Sequence, residues 1–168
     1  VKKLRSKIWK FVKWAGLLSV LCLLILFVWI KGIYKEIFSE SEFEVHVSEI
    51  ASSPELAESF YSTMERVYPR IFESTFNSKV VSEEGFGKIR NPCPCNWLMR
   101  MQFFNLKDAS ILKGHLLEPS MTWAYESKLT QKQCFNAVMS NYDFMNQMRG
   151  IVAASEGYYE KPLASLDL

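Results

Sequence analysis

With 168 residues, 49% apolar and 14% aromatic, the chain has room for one folded domain plus an anchor, and global disorder is excluded. The formal charge of +2 is unevenly spread: Lys2, Lys3, Arg5, Lys7, Lys10 and Lys13 crowd residues 1–13 without an acid, so the remainder is mildly acidic. Such a body lacks the basic surface that binding to phosphate backbones requires, and no nucleic-acid partner is expected.

The basic block leads into WAGLLSVLCLLILFVWI (14–30). That run is close to the shortest helix that crosses a hydrocarbon core of about 30 Å. Lys13 and Lys31 can extend toward water at its ends, and Trp9, Trp14, Trp29 and Tyr34 suit the two interfaces. A cleaved signal peptide is the competing reading, but the following VWIKGIYKEIF offers no small-residue cleavage site. Residues 1–35 are therefore expected to form a basic cytoplasmic tail and a single-pass anchor. The positive-inside rule puts the N-terminus in the cytoplasm and the chain from about residue 36 outside.

SEFEVHV (41–47) alternates polar and apolar residues and reads as a short strand or extended linker, so 36–51 is expected to link anchor and domain. SSPELAESFYSTMERVYP (52–69) predicts a helix with a serine cap, Pro54 in its first turn, and Leu56, Phe60 and Met64 at helical spacing. SKVVSEEGFGKIRNPCPC (78–95), rich in Gly, Pro and charge, predicts a loop. NWLMRMQFFN is the next helix. Its Trp97, Met99, Met101, Phe103 and Phe104 cover more than one face, which suits core packing or a lipid-contacting surface.

DASILKGHLLEPSMTWAYE predicts a helix starting at an Asp cap and interrupted at Pro119. TQKQCFNAVMSNY opens at a Thr130 cap, and NQMRGIVAASEGYY stripes Met148, Ile151, Val152, Ser155, Tyr158 and Tyr159. Lys161-Pro162 marks the start of a further helix. The fold class is mainly α, an N-terminal transmembrane helix followed by a helical domain. Cys93 and Cys95 are too close for a comfortable mutual disulfide; either can bridge to Cys134 in an oxidising compartment, while Cys22 fills space in the anchor. His46 and His115 read as structural, and neither zinc spacing nor a nucleotide or serine-hydrolase motif is present.

Residues 126–168 align without a gap to a spaced pattern. Against L-S-K-x-E-I-L-x-x-Y-L-N, Y-F-G-N-G-x-Y-G-V-x-A-A-A and Y-F-G-K-P-x-x-x-L-x-L, the chain supplies Leu129-Thr130, then Phe144, Asn146, Gly150, Ile151, Ala153 and Ala154. Tyr158, Tyr159, Lys161, Pro162, Leu166 and Leu168 follow. This stretch resembles the family 51 glycosyltransferases, the peptidoglycan transglycosylases that occur as monofunctional enzymes and as the glycosyltransferase domain of class A penicillin-binding proteins. The resemblance implies a lysozyme-like helical domain over 52–168, anchored in a bacterial cytoplasmic membrane. In the family the Lys-Pro motif opens a helix that continues further, so the sequence, which begins at Val1, is expected to be incomplete at its C-terminal end.

The activity implied is inverting hexosyl transfer: lipid-linked disaccharide (lipid II) is polymerised into glycan strands as undecaprenyl pyrophosphate leaves. Partners implied are that substrate, the membrane and other cell-wall synthesis proteins. A carboxylate must take the proton of the attacking hydroxyl, and positive charge or a divalent ion, Mg or Mn, must stabilise the pyrophosphate. YSTMERVYPRIF is the one segment resembling the family's E-D-x-x-F region and makes Glu65 the candidate base, without the family's following Asp or His-x-Gly. Glu118 falls on the Glu of R-K-x-x-E, with Gly114 and His115 in place of the basic pair and Lys113 beside them. NPCPCNWLMRM replaces G-x-S-T-I-T-Q-Q, and Arg100 falls near the basic residue after that motif. Glu65 and Glu118 are thus the implied catalytic acids, and Arg100 and Lys113 the phosphate contacts. The lost Ser/Thr/Gln motif supports an alternative, a non-catalytic relative acting as an interaction module that binds cell-wall enzymes or lipid-linked precursor without turnover. A third reading is an unrelated membrane-anchored helical interaction protein.

Overall fold

A computed structural model describes the backbone of residues 2–81, 92–103 and 111–166. Over these residues the chain is mainly α-helical, with one isolated antiparallel bridge between Asp143 and Arg149 and no strand. The one described stretch long and apolar enough to cross a membrane, Phe11–Glu36, 26 residues near the N-terminus, takes up most of helix α1 (Lys2–Gly32) and the turn that follows it. Leu17, Leu23 and Ile25 along it have no protein cover, the surface expected of a helix solvated by lipid.

The far end of α1 is clamped to α6 (Ile111–Glu126). The Phe27 and Trp123 rings meet edge-on with centroids 5.4 Å apart, and Lys31 Nζ lies 5.7 Å from the Trp123 centroid. Ser120 Oγ accepts from Tyr34 N–H at 2.9 Å and donates to the Lys31 carbonyl at 3.3 Å. A short 3₁₀ turn, Ile33–Glu36, follows with Ile33 buried.

The segment expected to be a strand or extended linker is instead helix α2 (Glu40–Ala51). Ser39 and Glu42 form a capping box at its start, and Phe43, Val47 and Ile50 are buried together. A strand would have put Phe43, Val45 and Val47 on one face; Val45 is 59% exposed, so the helical period decides. In the next segment the helix begins later than its serines predict. Helix α3 (Glu58–Val67) has Ala57 at its N-cap, without a side-chain cap. The non-helical lead is held by a buried chain of bonds, Leu56 N–H to Tyr61 Oη at 2.8 Å and Tyr61 O–H to Asn136 Oδ1 at 2.7 Å.

Both flanks of the predicted loop 78–95 are helical, in α4 (Phe76–Val81) and α5 (Pro94–Phe103); residues 82–91 lie outside the described residues. Most of the aromatic and Met side chains of α5 serve core packing: Leu98 and Met99 are buried and Trp97, Met101 and Phe103 pack against the main cluster, while Phe104 lies outside the described residues. The predicted interruption at Pro119 is absent, since α6 runs through it. An interior proline costs a helix about 3 kcal/mol. Burial of Leu117, Met121, Ala124 and Tyr125 against the surrounding helices offsets that cost. The predicted Asp108 cap lies outside the described residues.

Helix α7 (Gln131–Asn141) starts at Thr130 as expected, with a full capping box to Gln133. A disulfide joins Cys95 of α5 to Cys134 of α7, with Cα atoms 4.9 Å apart, so one of the two bridging options is realised. Helix α8 (Ile151–Tyr159) is shorter than its predicted stripe because 142–150 forms a tight loop. Pro162 then caps a single 3₁₀ turn, Leu163–Ser165. Leu163 joins Leu56, Phe60, Tyr61, Ile71 and Phe135 in a second apolar cluster beside the main one.

Candidate functional site

Arg100 and Glu118, predicted as phosphate contact and second acid, come together. Asn96 and Arg100 are one turn apart on α5, and Glu118 and Thr122 one turn apart on α6, so each pair shares a face. Asn96 Nδ2 donates to Glu118 Oε1 at 3.0 Å and to Thr122 Oγ1 at 3.1 Å. Thr122 Oγ1 donates to the Glu118 carbonyl at 2.7 Å. Arg100 Nε lies 3.7 Å from the same Glu118 Oε1, with side-chain exposures of 55% and 31% for Arg100 and Glu118. The buried amide and hydroxyl thus aim a carboxylate outward beside a guanidinium. So exposed a pair contributes only about 0–1 kcal/mol to stability. Its capacity is positional: the guanidinium keeps further N–H groups able to donate to an anion.

Glu65 is not part of this cluster. It is exposed on α3, and among the described residues no hydrogen bond or ion pair reaches its side chain. Its helix packs instead through Phe60 and Tyr61 onto Phe135 of α7. The Lys113 side chain lies outside the described residues. No three His, Cys, Asp or Glu side chains converge to hold a metal among the described residues. Glu118 is already engaged by Arg100 and Asn96, so the described donors of this cluster do not form a site for a divalent cation.

A separate cleft of about 490 Å³ opens between α2, the end of α5, α7 and the 142–150 loop. His46, read from sequence as structural, lines it and is tied into the fold. Tyr125 O–H donates to Gln102 Oε1 at 2.6 Å, and His46 Nε2 is 3.0 Å from the Tyr125 oxygen. With the phenol proton committed to Gln102, Nε2 is the nitrogen that donates to the Tyr125 oxygen. Burial pushes the Tyr125 phenol well above its ordinary value, so it stays a neutral donor. Glu49 and Arg149 line the same cleft. His46 and Glu49 share a helix face, a signal hidden by the strand-like alternation of the segment. His115 is exposed.

The loop delivering Arg149 is strained. Met145, Asn146 and Gln147 all have positive φ, at 69°, 51° and 65°, and Gly150 sits at 85°. Each left-handed residue with a Cβ costs about 1–2 kcal/mol. The loop is held by Phe144 N–H to Met148 O at 2.9 Å, Gly150 N–H to Tyr142 O at 2.8 Å and Met145 N–H to Asp143 Oδ1 at 2.8 Å. Tyr158 O–H donates to Phe144 O at 2.7 Å, tying the loop to α8. A Cβ at position 150 would lie 2.6 Å from the Ser140 carbonyl oxygen, so only glycine fits there.

No family model matches the chain, and neither a curated protein nor a solved structure matches it.

Proposed function

We propose that the chain is a membrane-anchored, family 51 glycosyltransferase-like protein that engages lipid-linked disaccharide pyrophosphate at the Arg100–Glu118 cluster. The observation that carries this reading is in the backbone. Among the described residues of 126–166, those with positive φ are Met145, Asn146, Gln147, Gly150 and Glu160. In the ungapped alignment every one of them falls on a Gly or Asn of the family pattern: G-N-G over 145–147, the Gly of Y-G-V at 150, and the Gly of F-G-K-P at 160. Glycine is the residue that adopts this conformation without steric cost, and Asn tolerates it better than most. Met145, Gln147 and Glu160 thus hold a conformation that glycine would adopt freely, at positions where the pattern has glycine, and this supports the resemblance.

Backbone conformation bears on fold alone, and the chemistry rests on side chains. In the proposed reaction Arg100 stabilises the charge that builds on the departing pyrophosphate as the sugar's anomeric C–O bond breaks. A hydroxyl of the second substrate forms the new bond, and its proton passes to Glu65 acting as base. A candidate membrane span clamped to α6 supports a substrate drawn from lipid, because Glu118 lies on that same helix.

The alternative, a non-catalytic relative that holds the precursor without turnover, is favoured by one observation: Glu65 is exposed and in contact with neither Arg100 nor Glu118. Incubating the full chain in detergent with lipid-linked disaccharide, and resolving products by gel, separates the two. Polymer from the wild type, reduced about 100-fold or more in Glu65→Gln and Glu118→Gln, is the result expected of the enzyme. Saturable binding without polymer identifies the non-catalytic relative. Neither polymer nor binding overturns the proposal.

A further inference from the structure

The cleft between α2, α5, α7 and the 142–150 loop contains neither Arg100 nor Glu118 among its lining residues, so it is a second place where a ligand can sit. Its volume of about 490 Å³ falls within the range of small-molecule sites, about 300–1,000 Å³. Ile50 and Ala137 are buried and, with Met101, give it an apolar floor. Around that floor stand hydrogen-bonding groups of both kinds: Glu49 as acceptor, Arg149 as donor, and Asn141 and Ser53 as either.

Two features make this a built site and not a surface dent. First, Arg149 and Glu49 share the cleft without pairing with each other, and among the described residues no carboxylate pairs with Arg149. Arg149 Nη2 is steadied by Asn141 Oδ1 at 3.2 Å, which leaves the rest of the guanidinium fork available. Second, the strained 142–150 loop ends at Arg149, with three consecutive left-handed residues just before it. Strain of this kind persists where the surrounding structure holds it, and it gathers at ligand clamps. On the opposite wall His46 is fixed through Tyr125 and Gln102.

We propose that this cleft binds a single saccharide unit carrying one anionic group. Arg149 takes the carboxylate or phosphate in a forked contact. Glu49, Asn141 and Ser53 exchange hydrogen bonds with ring hydroxyls. The C–H face of the ring lies on Ile50, Ala137 and Met101. A bare anion leaves the floor and Glu49 unused, and a neutral sugar leaves Arg149 unsatisfied. The site goes beyond the Arg100–Glu118 reading and uses none of its residues, so its failure leaves that reading standing.

The test is saturation-transfer NMR on the full chain in detergent micelles, with glucuronate, glucose and acetate as probes. Glucuronate should bind saturably and at least 10-fold more tightly than glucose or acetate. Arg149→Ala should weaken glucuronate at least 10-fold and Glu49→Gln about threefold, while Glu118→Gln leaves it unchanged. Arg149 and Glu49 are exposed, so the folds of both variants are expected to survive, and thermal unfolding checks this. Absence of glucuronate binding, acetate binding as tightly as glucuronate, or indifference to Arg149→Ala overturns the assignment.

Discussion

Met145 and Gln147 occupy left-handed backbone that glycine adopts freely, and this sets a sign that most loop substitutions lack. Relief of about 1–2 kcal/mol at each site is partly cancelled by the freedom glycine adds to the unfolded chain. Met145→Gly and Gln147→Gly should therefore each stabilise the protein by about 0.5–1 kcal/mol in chemical denaturation. Gly150→Ala should act oppositely, losing about 1–3 kcal/mol, because its Cβ meets backbone that cannot swing aside. Cys93 gives a second prediction at this scale. Burial, with Glu126 adding to it, pushes its thiol from an ordinary 9.0 up to about 12. Its protonated form is the one the fold favours, so its contribution to stability is intact below pH 9 and drains away as pH climbs toward 12. In a Cys22→Ala background, a thiol-reactive dye near pH 8 should label Cys93 only after denaturant is added. Prompt labelling of the native protein would contradict the burial. Asn96 and Arg100 fall one turn apart in a segment that reads as a helix, but the break expected at Pro119 hid that Glu118 and Thr122 share a turn as well. What no spacing could reveal is that the two turns face each other.

Helix α7 ties the domain together, and its two devices can be removed separately. Thr130→Ala breaks the capping box with Gln133 and should cost about 1 kcal/mol of unfolding free energy. Reducing the Cys95–Cys134 bridge frees a loop of sequence separation 39, which the chain-entropy model values at about 4 kcal/mol. Roughly 10 °C off the thermal midpoint in reductant follows for a chain of this size. Where sequence reading erred, two periods or two costs were in competition. Over 41–47 the alternation of two overlapped the helical spacing of Phe43, Val47 and Ile50, and only the exposure of Val45 separates them. At Pro119 a local penalty was weighed without the tertiary burial that overrides it. Thr130 was legible because a cap is a local feature, decided within four residues.

At the level of the whole chain, an apolar helix and a small helical body are fixed to one another through Phe27, Trp123, Lys31 and Ser120. If this helix spans the bilayer, alkaline carbonate washing of membranes should leave the protein in the pellet, and release into the wash would argue against a span. The mainly α class and the apolar helix could be read from composition and periodicity. The pairing of Arg100 with Glu118 and the cleft at Arg149 depend on contacts between segments far apart in sequence, which a linear pattern does not carry. Both the polymerising and the non-catalytic form of the proposal require the same event, capture of a lipid-linked pyrophosphate beside Arg100. The decisive measurement is therefore the dissociation constant of lipid-linked disaccharide pyrophosphate for the detergent-purified full chain, wild type against Arg100→Ala. Saturable binding that weakens at least 10-fold in Arg100→Ala, with unfolding unchanged, is the result predicted. A wild type that does not bind, or a variant that binds equally well, would contradict it.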